Sequence, residues 1–453
     1  MVNPQIFRQY DIRGIVDKDM TDETVYLIGK GYGTFLKRKQ LKNAVIGGDA
    51  RLSTPRFKDK IMQGLVETGI NVIDVGLVAT PVLYFSIWEL KTDGGVMITA
   101  SHNPSEYNGI KLNLGLLSVF GKQIQDILKI IQSGDFEQGK GKLSSNTEMD
   151  QKYKDYIVQN IKLERPVKVV VDAGNGVGGI YLPDILRNLN CEVTELFCEP
   201  DGNFPNHHPD PTVEKYLTKL IETVKETGAE VGLGLDGDGD RIGVVDEKGK
   251  MLFGDQILNI IVRDFLKDNP GEKIIADVKC SKNLFDDIKK YNGIPIMYKT
   301  GHANIKNKMF EEGIKVSGEM SGHVFLKDRF LGFDDAIYVC CRFVEIMSKT
   351  KKPVSQFLFD QPKMYNTPEL HIKSTDEDKF KLVEKVRDSF IKEGYNVNDI
   401  DGMRITFDDG WGLCRASNTT PVLVLRFEAE TEERLNEIRN LIEERISSIS
   451  KNI

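Results

Sequence analysis

Long apolar runs, paired cysteines and an excess of positive charge are all missing from this chain of 453 residues. No stretch approaches the ~18 consecutive apolar residues that a membrane span requires. The opening MVNPQIFRQYDIRGI has no continuous apolar centre of the kind a secretory leader carries. The six cysteines, at 191, 198, 280, 340, 341 and 414, form no Cys-x-x-Cys pair, and Cys340 and Cys341 are adjacent. That speaks against a disulfide framework or a cysteine zinc site and predicts a soluble protein of the reducing cytoplasm. The formal net charge of −7 argues against a whole-surface attraction to nucleic acid. An anionic ligand would need a local basic cleft within an acidic exterior. No low-complexity tract, nucleic-acid motif or obligate protein partner is evident.

What is present is a rhythm. Apolar strand, polar turn, helix and apolar strand recur over 44–75, 167–197 and 273–298, with the first turns at Gly47-Gly48-Asp49, Asp172 to Gly176 and Asp277-Val278-Lys279. This order is the signature of βαβ units and largely parallel sheets, which place ligands at the carboxyl ends of their strands. The last ~90 residues lack that spacing and predict a smaller α+β domain. At ~150 residues per domain, the length suggests three domains, with two or four also compatible. The polar stretch Gly134 to Met149 reads as a loop or linker, and a further boundary falls near Pro362 to Pro368.

Four short motifs carry chemistry. Thr99-Ala100-Ser101-His102-Asn103-Pro104 follows an apolar run, so Ser101 sits where a strand ends in a loop; an ordinary turn explains the same residues. Lys111 places a cation nearby. Leu235-Asp236-Gly237-Asp238-Gly239-Asp240-Arg241 sets three carboxylates at alternate positions, with glycines that let the backbone curl round a small ion. Oxygen-only ligands suit Mg²⁺. A calcium EF-hand fits only in part, because Arg241 stands where that loop needs glycine and the flanks read as strands. Gly318-Glu319-Met320-Ser321-Gly322-His323 offers an acceptor, a hydroxyl and an imidazole suited to sugar hydroxyls, or a polar turn. Arg415-Ala416-Ser417-Asn418-Thr419-Thr420-Pro421 offers donors suited to a phosphate, or a hairpin loop. His302, Arg8 and Arg13 are further candidates, an Arg–Asp pair within a turn being the simpler reading of the last two.

The four motifs, in this order and with the opening Phe7-Arg8-Gln9-Tyr10-Asp11-Ile12-Arg13-Gly14, resemble the α-D-phosphohexomutases, most closely the bacterial phosphomannomutase/phosphoglucomutase branch. The phosphoglucosamine mutase branch typically has Gln where Met320 stands. The resemblance covers Phe7 to Ala429. It implies three similar α/β mixed-sheet domains (1–147, 148–251 and 252–365) and a smaller, mobile α+β domain (366–453) around a central cleft. It implies that Ser101 carries the phosphoryl group, with His102, Lys111, His302, Arg241 and Arg13 at catalytic positions. Mg²⁺ would be held by Asp236, Asp238, Asp240 and an oxygen on Ser101. Glu319 and Ser321 would read the sugar hydroxyls with His323 nearby, Tyr10 and Lys279 would bind substrate in the cleft, and Arg415, Ser417, Asn418 and Thr419 would clamp the phosphate not in transit. Hexose 1-phosphate and 6-phosphate, of mannose or glucose, would interconvert through a 1,6-bisphosphate that also serves as activator. Lys111 or His302, given a lowered pKa, would be the base. A phosphatase, a phosphoglucosamine mutase and a non-catalytic sugar-phosphate sensor are the rivals.

Overall fold

The structure is a computed structural model that describes residues 2–375, 377–417 and 420–450. Three of its four sheets share one topology. In the first, the strand Asn43–Gly48 lies between Asn71–Leu77 and Gly94–Ile98, parallel to both, and Gly94–Ile98 then pairs antiparallel with Tyr107–Leu114. The second repeats this with Lys168–Asp172 between Glu192–Leu196 and Val231–Leu235, the latter antiparallel to Ile242–Asp246. In the third, Lys273–Asp277 lies between Ile294–Tyr298 and Val316–Gly318, the latter antiparallel to Val324–Leu326. The central strands are buried almost throughout. Helices cover both faces, which is why they read as continuous Val/Ile runs and not as alternation.

The chemistry-bearing motifs occupy one topological place. The turn between the third strand and its antiparallel partner holds Ser101 in the first sheet, Asp236 to Asp240 in the second and Glu319 to His323 in the third. The first turns, singled out by the strand rhythm, lie behind these corners.

Two edge strands extend the first sheet. Ile12–Ile15 pairs with Tyr107–Leu114, setting Arg13 opposite Gly109. Leu143–Ser145 pairs parallel with Asn71–Leu77, so the stretch 134–149 is not all loop. Three short exposed residues at a sheet edge leave no hydrophobic pattern to read.

One hydrophobic core runs through the first three units. Its axis is the helix Thr80–Glu89, whose TPVLYFSIWE is apolar on nearly every side and therefore buried. The C-terminal domain keeps a separate core. Its six-stranded sheet is wholly antiparallel. On the strand Gly410–Ala416, Cys414 and Ala416 face the domain's own core while Trp411 and Leu413 pack on Val278 of the third unit, the two-residue alternation of a strand with two faces. Phe390→Ala in that separate core, where the ring meets Tyr395 edge-on at 5.2 Å, is expected to cost about 3–5 kcal/mol. Calorimetry should then show an early transition split from the main melt.

Among the described residues, no helix is long and apolar enough to cross a membrane.

Candidate functional site

Ser101 is held in a left-handed backbone conformation, φ 51°, which costs a non-glycine residue roughly 1–2 kcal/mol. Its Oγ donates to Asp236 Oδ2 at 2.7 Å and lies 3.1 Å from His102 Nδ1. Burial and the charges of Arg241 and Arg13 hold the His102 ring well below its ordinary pKa, so it stands neutral beside the hydroxyl. Arg13 donates to Asn103 Oδ1 at 2.5 Å and pairs with Asp11.

The aspartate loop curls on itself. Asp236 Oδ1 accepts from the backbone N–H of Gly239, Asp240 and Arg241 at 3.0–3.1 Å, and Gly239 supplies the positive φ the curl requires. Asp238 Oδ2 accepts from Thr80 Oγ1 and from Lys111 Nζ, both at 2.7 Å, and Asp240 Oδ2 accepts from Lys111 Nζ at 2.5 Å. Burial and the two neighbouring carboxylates push Asp236 well above the usual range. Burial and Asp238 push Asp240 up. Burial acts on Asp238 in the same sense, but Lys111 and the Lys111 and Thr80 hydrogen bonds outweigh it and hold that carboxyl low. Lys111 is likewise desolvated, yet Asp238 and Asp240 keep its pKa well above the ordinary value.

The third unit is joined through Arg241, whose Nε donates to His323 Nε2 at 3.0 Å. With that lone pair taken, the neutral His323 ring carries its proton on Nδ1, 3.6 Å from Asp334 Oδ2 and 3.7 Å from Asp240 Oδ1. Burial and Arg241 keep the ring uncharged. His302 stacks on His323 at 5.3 Å, with its Nδ1 3.2 Å from Asp334 Oδ2. Glu319 Oε1 accepts from Gly301 N at 2.6 Å, and Ser321 sits half-buried in the same turn. Tyr10, from the first unit, donates to Thr300 O at 2.9 Å and meets His302 edge-on.

The C-terminal group joins less directly. Asp401 accepts from Thr300 N and from Arg415 Nε, both at 3.0 Å. Lys279 pairs with Glu369 at 2.7 Å. Ser417 Oγ lies 2.8 Å from Thr420 Oγ1. Asn418 and Thr419 lie outside the described residues.

Four sequence models describe this arrangement in chain order: phosphoglucomutase/phosphomannomutase α/β/α domains I, II and III over residues 4–138, 151–249 and 253–365, and the C-terminal domain over 369–445. The chain belongs to the phosphoglucomutase/phosphomannomutase family. A phosphomannomutase/phosphoglucomutase of Pseudomonas putida is 46% identical over 96% of this chain and 94% of its own length. A phosphoglucomutase of Neisseria gonorrhoeae is 45% identical over 97% and 96%. The crystal structure of a phosphoglucomutase/phosphomannomutase family protein from Burkholderia thailandensis superimposes with a TM-score of 0.94 at 40% identity, over 99% of this chain and 98% of that one.

In this phosphoglucomutase/phosphomannomutase chain the aspartate curl fits a metal. Asp238 Oδ1 and Asp240 Oδ1 are buried with no hydrogen-bond partner, and ligand atoms of the three aspartates lie within 4.8 Å of one another. The donor set is oxygen-only, and a hard divalent cation matches it and would offset the mutual repulsion of the carboxylates. Asp240, His323 and Asp334 also converge, but His323 presents a donor N–H to that gap and not a ligand lone pair.

Sequence reading missed several side chains of the site: Thr80 on Asp238, Asp401, Glu369, and above all Asp334. Fully buried, Asp334 lies beside both imidazoles and accepts from Lys306 Nζ at 3.1 Å. Burial would raise its pKa, but Lys306, His302 and His323 outweigh that and hold it well below the carboxylate range. Lys111 also departs from expectation, because Asp238 and Asp240 raise its pKa where a base needs one lowered.

Glu319 carries a pH consequence. Burial and the charge of Asp277 push its pKa from the ordinary 4.5 to about 8. Between these values the unfolded chain has lost the proton that the folded chain keeps, so Glu319 makes stability fall as pH rises from about 4.5 to about 8. Glu319→Gln should remove that slope. Melts at both ends of the window should show the variant gaining on wild type towards the alkaline end.

Proposed function

We propose that the chain interconverts hexose 1-phosphate and hexose 6-phosphate, with mannose or glucose as the hexose, through a phosphoserine at Ser101 and a hexose 1,6-bisphosphate. The observation that carries this reading is the 2.7 Å approach of Ser101 Oγ, on the first unit, to Asp236, on the second. It sets a nucleophile beside a three-carboxylate curl that suits Mg²⁺.

The labour divides over 1–147, 148–251, 252–365 and 366–453. Phosphorylated Ser101 faces the free hydroxyl of the substrate. As the new O–P bond forms, the Oγ–P bond breaks, the hydroxyl proton leaves to a base and Ser101 Oγ takes up a proton; the bisphosphate then turns, and its other phosphoryl group passes to Ser101 Oγ as the serine gives up its proton and the released sugar oxygen gains one. With the Lys111 pKa raised by its two carboxylates and not lowered, we assign the base to His302, whose Nδ1 lies 3.2 Å from Asp334 Oδ2. Bound Mg²⁺ would neutralise charge on the transferring group from its seat on Asp236, Asp238 and Asp240. Lys111, Arg241 and Arg13 surround that charge with fixed cations. Glu319 holds its proton at neutral pH, so it both donates to and accepts from sugar hydroxyls; Ser321 and His323 flank it. Arg415, Ser417, Asn418 and Thr419 take the resting phosphate, with Lys279 and Tyr10 beside it, and closure of the C-terminal domain excludes water. Six buried, unpaired cysteines are consistent with a reducing cytoplasm.

A coupled assay with mannose, glucose and glucosamine 1-phosphates, each with Mg²⁺ and bisphosphate activator, tests the reading. Turnover of mannose or glucose 1-phosphate supports it. Net release of inorganic phosphate would make the protein a phosphatase, and preference for glucosamine 1-phosphate would move it to the neighbouring branch.

A further inference from the structure

The strand rhythm singled out the turn after Asn43–Gly48, yet no chemistry has so far been assigned to it. It ends in Asp49-Ala50-Arg51, and Arg51 is 1% exposed. A guanidinium has five N–H donors, and here all five are taken. Nε donates to Asp49 Oδ2 at 3.2 Å. Nη1 donates to the carbonyls of Pro104 and Tyr107 at 2.7 and 3.0 Å, and Nη2 to those of Ser101 and Asn103 at 2.8 and 2.6 Å. Four of the five partners are thus backbone oxygens of the Ser101 loop.

The surroundings make this grip rigid. Asp49 also accepts from Thr54 Oγ1 and Thr99 Oγ1, and Thr99 Oγ1 accepts from Ser101 N at 2.9 Å. The second unit closes the other side. Phe204 lies over the guanidinium at 5.0 Å, and a Cβ on Gly202 would come within 2.8 Å of Arg51 Cα. A Cβ on Gly237, in the aspartate curl, would come within 2.6 Å of the Ser101 carbonyl oxygen that Arg51 holds. A left-handed non-glycine residue persists only where its surroundings over-determine it, and this network surrounds Ser101.

We propose that Arg51 is the positioning residue of the phosphoryl carrier: by gathering four carbonyls of the loop it keeps Ser101 in its left-handed conformation, with Oγ aimed at the aspartate curl. Its donors go to Asp49 and to loop carbonyls, not to the Ser101 hydroxyl or to a carboxylate of the aspartate curl. Lysine cannot replace it, because three donors on a flexible stem do not span four fixed carbonyls.

The proposal rests on Ser101 being the carrier, and the test separates the two. Wild type, Arg51→Lys and Arg51→Ala are treated with glucose 1,6-bisphosphate and Mg²⁺, and phosphorylation of Ser101 is followed by intact mass. Amide hydrogen exchange over residues 101–108 is measured on the same proteins. Displacing the reacting oxygen by about 1 Å is expected to slow phosphorylation by ~100-fold in both variants. KM for glucose 1-phosphate should move by less than about threefold, because the resting-phosphate clamp is untouched. Exchange of the loop amides should rise while the rest of the chain stays protected. Guanidinium ion should restore about tenfold of the lost rate to Arg51→Ala and none to Arg51→Lys. Phosphorylation of Arg51→Lys within about threefold of wild type would overturn the proposal. So would an Arg51→Lys protein that cannot fold, which would make the residue purely structural. If wild type itself never takes a phosphoryl group on Ser101, the carrier reading falls, and hydrogen exchange alone decides whether Arg51 orders the loop.

Discussion

Ser101→Ala is expected to lower mutase turnover by at least ~10⁴-fold while the protein keeps its fold and its affinity for phosphosugar. The first half follows from chemistry, since a methyl group cannot take or return a phosphoryl group. The second half follows from the contacts. The Ser101 hydroxyl bonds only to Asp236 and His102, whereas its backbone is held by Arg51 and Thr99. Alanine keeps that backbone, and the resting-phosphate residues of the C-terminal domain are untouched. Turnover within tenfold of wild type in a well-folded variant would remove Ser101 from the reaction.

Asp238→Asn is expected to lower turnover by ~10²–10³-fold and to abolish the stabilisation that Mg²⁺ confers. In the metal-free protein Asp238 is the carboxyl that Lys111 and Thr80 hold low, so the variant, which loses that charge, should melt below wild type in chelator. Added Mg²⁺ should raise the melting temperature of wild type by binding only the folded state. The variant should show little of that rise. The loss of the Mg²⁺ increment, measured from each protein's own chelator baseline, separates a ligand from a structural aspartate. An Asp238→Asn protein whose melting temperature and rate follow Mg²⁺ as wild type does would place the metal elsewhere.

Much of this site was legible in the sequence because each motif is short and its chemistry lies in neighbouring residues. Three aspartates spaced by glycines declare an oxygen cage before any fold is known. The buried parallel strands were legible for a similar reason, since Val169 to Val171 or Ile274 to Ala276 admit few other readings. The equivalence of the three corners was not legible, because TASHNP, LDGDGDR and GEMSGH share no residues by which to align them. Asp334 and Thr80 were missed because neither has a local signal. A lone aspartate in Gly-Phe-Asp-Asp, or a threonine before proline at a helix start, gains its role only when the chain brings it against His302 or Asp238. The charge state of Lys111 was out of reach too. Sequence showed a cation near Ser101, and only its contacts with Asp238 and Asp240 show that its pKa is raised and not lowered.

Because the three corners are copies of one hairpin bend, each is anchored in its own sheet and exchanges few bonds with the others. Arg241 Nε to His323 Nε2 at 3.0 Å and Ile242 N to Gly322 O at 3.1 Å cross from the second corner to the third. The enzyme is therefore modular where it matters for substrate choice. On the proposed reading, rewriting positions 319 to 321, with Gly322 and the imidazole at 323 kept, would retune which hexose is accepted without dismantling the corner that would hold the ion or the one that would carry the phosphoryl group, whereas a Cβ on Gly322 would meet the Ile242 carbonyl at 2.7 Å. Diversity of sugar preference on a constant transfer engine is what such a plan permits.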